Sequence, residues 1–234
     1  MDTVERVETE LVSEKKTEKV ILPYAHDQEF YVEQLDEIPT RRGYRFVKRA
    51  VDIVASVCAL IVFAIPMIII AIAIKLDSGG PVFYRQERLG LNGKPFDCIK
   101  FRSMRLDAEQ NGAKWSEGDE DPRITRVGRV IRKSRLDELP QFFLTLSGKM
   151  TLVGPRPERA CFYREFEGYI HGFSERLMVK PGFTGLAQVN GGYDLKPEQK
   201  IVYDIEYIKK QSLWLDLKIL FKTVKVVLCR EGAK

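Results

Sequence analysis

Between Ile53 and Ile74 run 22 consecutive residues without a charged side chain, built mainly from Ile, Val and Ala. As one helix rising ~1.5 Å per residue, the run would be about 33 Å long, enough to cross a hydrocarbon core. It starts far from the first residue, exceeds the apolar region of a signal peptide and lacks a small-residue cleavage pattern, so it reads as a membrane segment. Arg41, Arg42, Arg45, Lys48 and Arg49 precede it, and Lys75, Arg85 and Arg88 follow. The positive-inside rule pulls both flanks to the cytoplasm, which requires the chain to enter the membrane and return on the same side. Pro66 lies within the run. It removes a backbone donor and allows a helix-break-helix dipping into one leaflet; a bitopic helix with a tolerated kink is the alternative.

The rest of the chain must hold a packed domain. With 44% apolar and 30% charged residues over 234 positions, it is too apolar for a disordered protein and matches no collagen-like, coiled-coil or disulfide-stapled composition. Cys58, Cys98, Cys161 and Cys229 are widely spaced with no C-x-x-C pair, and only His26 and His171 could join them. Reduced thiols are therefore expected, and no structural zinc.

The net charge of +5 hides an asymmetry: residues 1–40 hold 11 acidic and 4 basic side chains, a net of −7, leaving +12 on residues 41–234. A basic body implies an anionic partner: a phosphorylated substrate, an acidic lipid or a nucleic acid. Residues 1–40 lack a core pattern and read as a flexible acidic cytosolic leader, residues 41–75 as the membrane segment, and residues 76–234 as the packed domain. In that domain Pro81–Glu87 and Pro95–Phe101 read as strands around Asn92-Gly93, a hairpin dipeptide. Helices are expected over Thr125–Lys133, Leu136–Leu146 and Lys196–Lys210, with a loop-rich stretch punctuated by Pro155, Pro157, Pro181, Gly182 and Gly185. Over Leu213–Leu228, Lys218, Lys222 and Lys225 fall within a 60° arc of a helical wheel. Trp214, Leu217, Phe221 and Val224 surround them, a pattern that fits the membrane interface and also fits a core helix with one solvated face.

Arg123, Arg126, Arg129 and Arg132 recur every third residue and would form a cationic ridge suited to phosphate, or an ordinary solvated face. Next comes Ser134-Arg135-Leu136-Asp137-Glu138-Leu139-Pro140. Ser134 and Asp137 have the spacing of a capping box, so Asp137 reads either as a helix cap or as a carboxylate that the helix terminus and adjacent arginines keep ionised, ready to act as a nucleophile. Glu138 could hold a divalent cation. In Gly154-Pro155-Arg156-Pro157-Glu158 two prolines fix the backbone around an arginine, as a phosphate clamp or a surface turn.

Lys100-Phe101-Arg102-Ser103-Met104, Arg132, Leu136-Asp137-Glu138-Leu139-Pro140-Gln141, Val153-Gly154-Pro155-Arg156-Pro157 and the run Lys180 to Val189 occur in one order. From Arg41 to the C-terminus the chain thereby resembles the bacterial sugar transferases, the monotopic phosphoglycosyltransferases. The resemblance implies an α+β fold: a re-entrant membrane helix, then a mostly helical cytoplasmic domain with a small β-hairpin and interfacial amphipathic helices. It implies Asp137 as nucleophile and Glu138 as Mg²⁺ ligand. Lys100, Arg102, Arg132, Pro155, Arg156 and Pro157 are then placed about the substrate, and Pro66 at the membrane-helix break. The implied reaction moves a sugar 1-phosphate from a UDP-sugar to undecaprenyl phosphate at the cytoplasmic face of a bacterial membrane, as the first step of exopolysaccharide, capsule or related glycan synthesis. Membrane lipids are implied as partners, and a homodimer is compatible.

Two departures stand out. Ile65 replaces a serine that many members carry before the proline, and Gly192 follows Gly191 where others have arginine. The leader lacks the hydrophobic spans of long members, which suggests a short form, and Gly191-Gly192-Tyr193-Asp194 leans toward a hexose, glucose or galactose, over an N-acetylated aminosugar. A non-enzymatic membrane adaptor, with its basic surface on anionic lipids and Asp137 only a cap, is the competing class. A nucleic-acid binder is disfavoured by the absence of any recognised motif and by the membrane segment.

Overall fold

The computed structural model describes residues 29–35, 38, 42–108, 121–191 and 195–229. The apolar run folds as two helices, α1 (Arg42–Val62) and α2 (Ala64–Ser78), bent by 60°. The bend lies at Phe63 rather than at Pro66, which is the third residue of α2. Proline acts one turn upstream: it has no N–H for the Val62 carbonyl and its ring crowds that carbonyl. The helical ladder resumes on both sides, with Phe63 N donating to Ala59 O at 2.9 Å and Met67 N to Phe63 O at 2.8 Å. Among the described residues no single helix is long and apolar enough to cross a membrane, whereas the bent pair together has the length and composition alone for it. Ile61, Ile65, Ile68, Ile69, Ile72 and Leu76 are exposed along it.

The opposite side of the pair is fastened to the rest of the chain. Buried Asp52 accepts from Thr151 Oγ1 at 2.8 Å and Leu152 N at 2.9 Å. Arg49 donates to the Thr145 and Leu146 carbonyls, both at 2.7 Å, and Lys48 pairs with Asp216 at 2.7 Å. In α2, buried Ile70 and Ile74 pack with Phe101, Ile131 and Leu139.

The body is a mixture of helix and strand, mostly helical. Strand β1 (Phe30–Tyr31), near the end of the segment read as a flexible leader, pairs in parallel with β5 (Ile170–His171). Phe30, Val32, Leu35 and Ile38 pack against the main core, and that apolar contact repays the ordering of this short segment. Residues 1–28 of the leader lie outside the described residues. The expected hairpin forms from β2 (Phe83–Leu89) and β3 (Pro95–Phe101), antiparallel with Tyr84 opposite Lys100. It begins two residues late because Pro81 has no N–H for the ladder. Asn92 and Gly93 supply the left-handed turn at φ 55° and 72°. A further parallel pair, β4 (Thr151–Val153) with β6 (Gly182–Thr184), is too short to show alternation in the sequence.

Helix α3 (Arg126–Lys133) starts where expected, with Thr125 Oγ1 accepting from Gly128 N at 2.9 Å, a cap worth about 1 kcal/mol. Gly128 leaves room for the Ser103 carbonyl, 1.9 Å from where a Cβ would stand. The helix expected from Leu136 starts only at Gln141, as α4 (Gln141–Ser147). Ser134 Oγ donates back to Val130 O at 2.8 Å, Arg135 is left-handed at φ 56°, and Leu136–Glu138 form one 3₁₀ turn. The capping box is therefore not made: its serine closes the preceding helix. Among the described residues four further α-helices follow: α5 (Ala160–Glu167), α6 (Leu186–Asn190), α7 (Pro197–Lys209) and α8 (Leu213–Cys229). Phe162, Phe166, Ile170, Phe173, Ile201 and Ile208 form the centre of the core. On α8, Ile219 is buried while Trp214, Leu217, Phe221 and Val224 are exposed, and Lys218 Nζ lies 5.3 Å from the Trp214 ring centroid.

Candidate active site

Strand β3 carries Cys98 and Lys100 on one face by the two-residue period of a strand. Arg102 continues that face, since its N–H still bonds the Val82 carbonyl at 2.8 Å. These side chains line a cavity of about 330 Å³. Across it, the 3₁₀ turn presents Asp137 and Glu138, the last turn of α3 presents Arg132, and the loop after β4 presents Arg156. Glu138 Oε1 accepts from Lys100 Nζ at 2.8 Å and from Arg156 Nη2 at 2.5 Å. Three cations, from β3, the end of α3 and the loop after β4, thus converge on two successive carboxylates.

The two acids are shifted in opposite directions. Burial pushes Asp137 up to about 6, with Glu138 adding to the rise and Lys100, Arg132 and Arg156 opposing it. Burial also penalises charge on Glu138, but Arg156 and Lys100 more than offset it and hold Glu138 well below the usual carboxylate range. Asp137 has no helix terminus to keep it ionised, contrary to the capping argument. Its charge rests on the three cations, and it is mainly ionised at neutral pH.

Arg102 lines the cavity at its α2 end, where its Nη2 donates to Ser78 Oγ at 2.7 Å and to the Gly79 carbonyl. Pro155 and Pro157 stand outside the cavity wall and shape its loop: the Pro155 carbonyl accepts from Gly182 N at 2.8 Å and that of Pro157 from Arg88 Nη1 at 3.2 Å. The arginine ridge splits. Arg126 and Arg129 are exposed, Arg132 faces the cavity, and Arg123 chelates Asp121 through Nε at 2.8 Å and Nη2 at 2.5 Å. The departure at Gly192 lies outside the described residues.

Sequence reasoning missed a second group at the far end of the cavity. Arg176, from the 3₁₀ segment Phe173–Met178, pairs with Asp204 at 2.6 Å, both side chains being 2% exposed. The same Nη2 donates to the Arg156 carbonyl at 2.9 Å. Arg88 pairs with Glu158 at 2.9 Å. Burial pushes Asp204 up to about 6 against the pull of Arg176 and Lys200, and lowers Lys200. These pairs brace both flanks of Arg156. Arg176 and Asp204 carry no local motif, and only the docking of α7 brings Asp204 to Arg176.

A Mg²⁺ ion fits this donor set in one way. No group of three His, Cys, Asp or Glu side chains that could hold a metal occurs among the described residues. Glu138 would supply one carboxylate, with water and substrate phosphate oxygens completing the shell. The ion would compete with Lys100 and Arg156 for its charge.

Residues 43–230 match the sequence profile of the family described as bacterial sugar transferase, and the chain belongs to that family. It is 43% identical over 226 residues to the UDP-N-acetylgalactosamine-undecaprenyl-phosphate N-acetylgalactosaminephosphotransferase of Aeromonas hydrophila, covering 95% of this chain and 52% of that protein. It is 44% identical over 207 residues to the undecaprenyl-phosphate galactose phosphotransferase of Salmonella typhimurium, covering 82% and 43%. Over 195 residues it is 42% identical to the UDP-glucose:undecaprenyl-phosphate glucose-1-phosphate transferase of Escherichia coli, covering 81% and 42%. The chain spans about half the length of these relatives.

Proposed function

We propose that the protein transfers a sugar 1-phosphate from a UDP-sugar to undecaprenyl phosphate and releases UMP. The observation that carries this reading is the buried Asp137 facing a cavity of about 330 Å³ among Lys100, Arg132 and Arg156. An Asp137 oxygen attacks the β-phosphorus of the UDP-sugar. The bond from that phosphorus to the bridging oxygen breaks, and UMP leaves with the bridging oxygen and its electron pair. An oxygen of the lipid phosphate then attacks the same phosphorus, the aspartyl bond breaks, and the carboxylate is regenerated. One displacement is thereby split into two, a ping-pong scheme. Lys100, Arg132 and Arg156 neutralise charge on the transferring group, and Glu138 fixes Lys100 and Arg156. A bound Mg²⁺ at Glu138 would supply further charge neutralisation.

The relatives act on N-acetylgalactosamine, galactose and glucose donors by their names, so the hexose preference rests on the Gly191 to Asp194 variant alone. UMP release by the purified protein with undecaprenyl phosphate, across UDP-glucose, UDP-galactose, UDP-N-acetylglucosamine and UDP-N-acetylgalactosamine, tests the reading. At least one donor is expected to release UMP in proportion to lipid glycosylated. Release from none would favour the membrane adaptor.

The exposed apolar side of the bent pair and the basic flanks support a re-entrant anchor with the body at the cytoplasmic face. In a variant lacking native cysteines, single cysteines at Arg45 and Lys94 are expected to resist an impermeant thiol reagent in intact cells and to react after lysis. Labelling of Arg45→Cys alone in intact cells would mean a bitopic helix. Pro66→Ala, which restores the donor to Val62, is expected to straighten the pair and lower activity; unchanged topology and rate would make the proline a tolerated kink.

A further inference from the structure

Arg102 is 4% exposed, and a buried guanidinium is stable only where its donors meet acceptors. Both protons of Nη2 are engaged by Ser78 Oγ and the Gly79 carbonyl. Nε and both N–H of Nη1 have no acceptor among the described residues. Three buried donors of a permanent cation therefore await an anion in the cavity.

The position of Arg102 says which anion. Along β3 the cavity side chains run Cys98, Lys100, Arg102, and at ~3.3 Å per residue Arg102 stands about 7 Å beyond Lys100. Lys100 belongs to the Glu138–Arg156 cluster. Arg102 lies on the other side, bonded to the end of α2, the last turn of the apolar pair. Pro81, Phe83 and Leu106 line the cavity on this side, beside the polar Ser103 and Arg105; Leu106 and Leu76 are 69% and 83% exposed. A cation at a membrane-helix end, framed by exposed apolar side chains, suits a phosphate monoester on a hydrocarbon chain better than a nucleotide. Gly80 keeps this side open: its φ is +68°, and a Cβ there would stand 2.6 Å from Arg102 Nη1.

We infer that Arg102 is the receptor for the phosphate of the lipid acceptor, and that the acceptor enters between the end of α2 and Leu106, apart from the donor site. This inference rests on the transferase reading above, and its test separates the two. Full-length Arg102→Gln and Gly80→Ala are assayed with the UDP-sugar that wild type turns over. Both variants are expected to raise the KM for undecaprenyl phosphate by about ten- to a hundredfold, the range for losing or blocking a charge-assisted hydrogen bond. The KM for the UDP-sugar, and exchange of labelled UMP into UDP-sugar without lipid, are expected to stay within about threefold by the same reasoning. Inorganic phosphate is the control for source: it should compete with the lipid in wild type only weakly, because it lacks the chain. A UDP-sugar KM rising in step with the lipid KM, or unchanged lipid KM in both variants, would overturn the assignment. Wild type that shows no UMP exchange yet keeps the lipid-specific KM rise in Arg102→Gln would overturn the covalent scheme and leave Arg102 in place. Gly80→Ala keeps the guanidinium charge and shifts its position, since the new Cβ would stand 2.6 Å from Arg102 Nη1, so a lipid-specific defect in both variants points to the placement of that cation.

Discussion

Asp137→Asn is expected to lower turnover by at least about 10⁴-fold, because an amide cannot form the acyl phosphate and neighbouring groups cannot replace a nucleophile. The same change is expected to stabilise the protein. Burial raises Asp137 from an ordinary 3.8 to about 6 in the folded state. An acid raised on folding destabilises the fold wherever it is ionised: the cost is complete above about pH 6 and vanishes below about 3.8, where folded and unfolded chains are both protonated. The asparagine variant is therefore expected to exceed wild type by on the order of 1–3 kcal/mol at pH 7.5, with the gain fading between pH 6 and 4. Thermal unfolding of both proteins in detergent across this range, beside a UMP-release assay, checks both halves. A variant that releases UMP near the wild-type rate removes Asp137 from the chemistry, and one less stable at pH 7.5 makes it a structural anchor. In wild type, kcat/KM for the UDP-sugar is expected to fall as pH drops through about 6, as the nucleophile takes up its proton.

Asp204→Ala is expected to destabilise the fold by about 3–5 kcal/mol, because it leaves the Arg176 guanidinium buried without its counter-charge. For a chain of this size that is a fall in apparent Tm on the order of 10 °C. Its effect should reach the chemistry through one bond: Arg176 Nη2 holds the Arg156 carbonyl at 2.9 Å, and Arg156 in turn meets Glu138. The double variant Arg176→Met with Asp204→Leu separates fold from function. Apolar replacement of a whole buried pair is close to neutral for stability, so Tm is expected to recover while kcat stays depressed. Recovery of both would make the pair purely structural, and an unchanged Tm in Asp204→Ala would mean the cation is compensated by another group.

The apolar helix pair, the hairpin and the order of the chemical motifs were legible in the residues because each depends on local rules. An uncharged run of hydrocarbon length, a left-handed Asn-Gly turn and a proline in a helix act within a few residues of themselves. Even so, Pro66 marked a bend that falls at Phe63, because a proline disrupts the carbonyl of the preceding turn. The turn that carries Asp137 was misread for a different reason. Ser134 has two carbonyls behind it and a donor three residues ahead, and local spacing does not say which it serves; here it closes α3, and Arg135 turns left-handed.

Electrostatics was decided by tertiary structure alone. The arginine period suggested one ridge, yet Arg126 and Arg129 face outward, Arg123 binds Asp121, and Arg132 reaches the cavity. Arg176 and Asp204 lie 28 residues apart without a motif and meet at 2.6 Å. Asp52, beside the apolar run, becomes the buried acceptor for β4. The sequence by itself determined which residue types are present and which short segments they favour, since those follow from backbone sterics and hydrophobic period. Which carboxylate is buried, which cation it meets and which acid is raised and which lowered depend on desolvation and on charges brought together across the fold, and these exist only once the helices have packed.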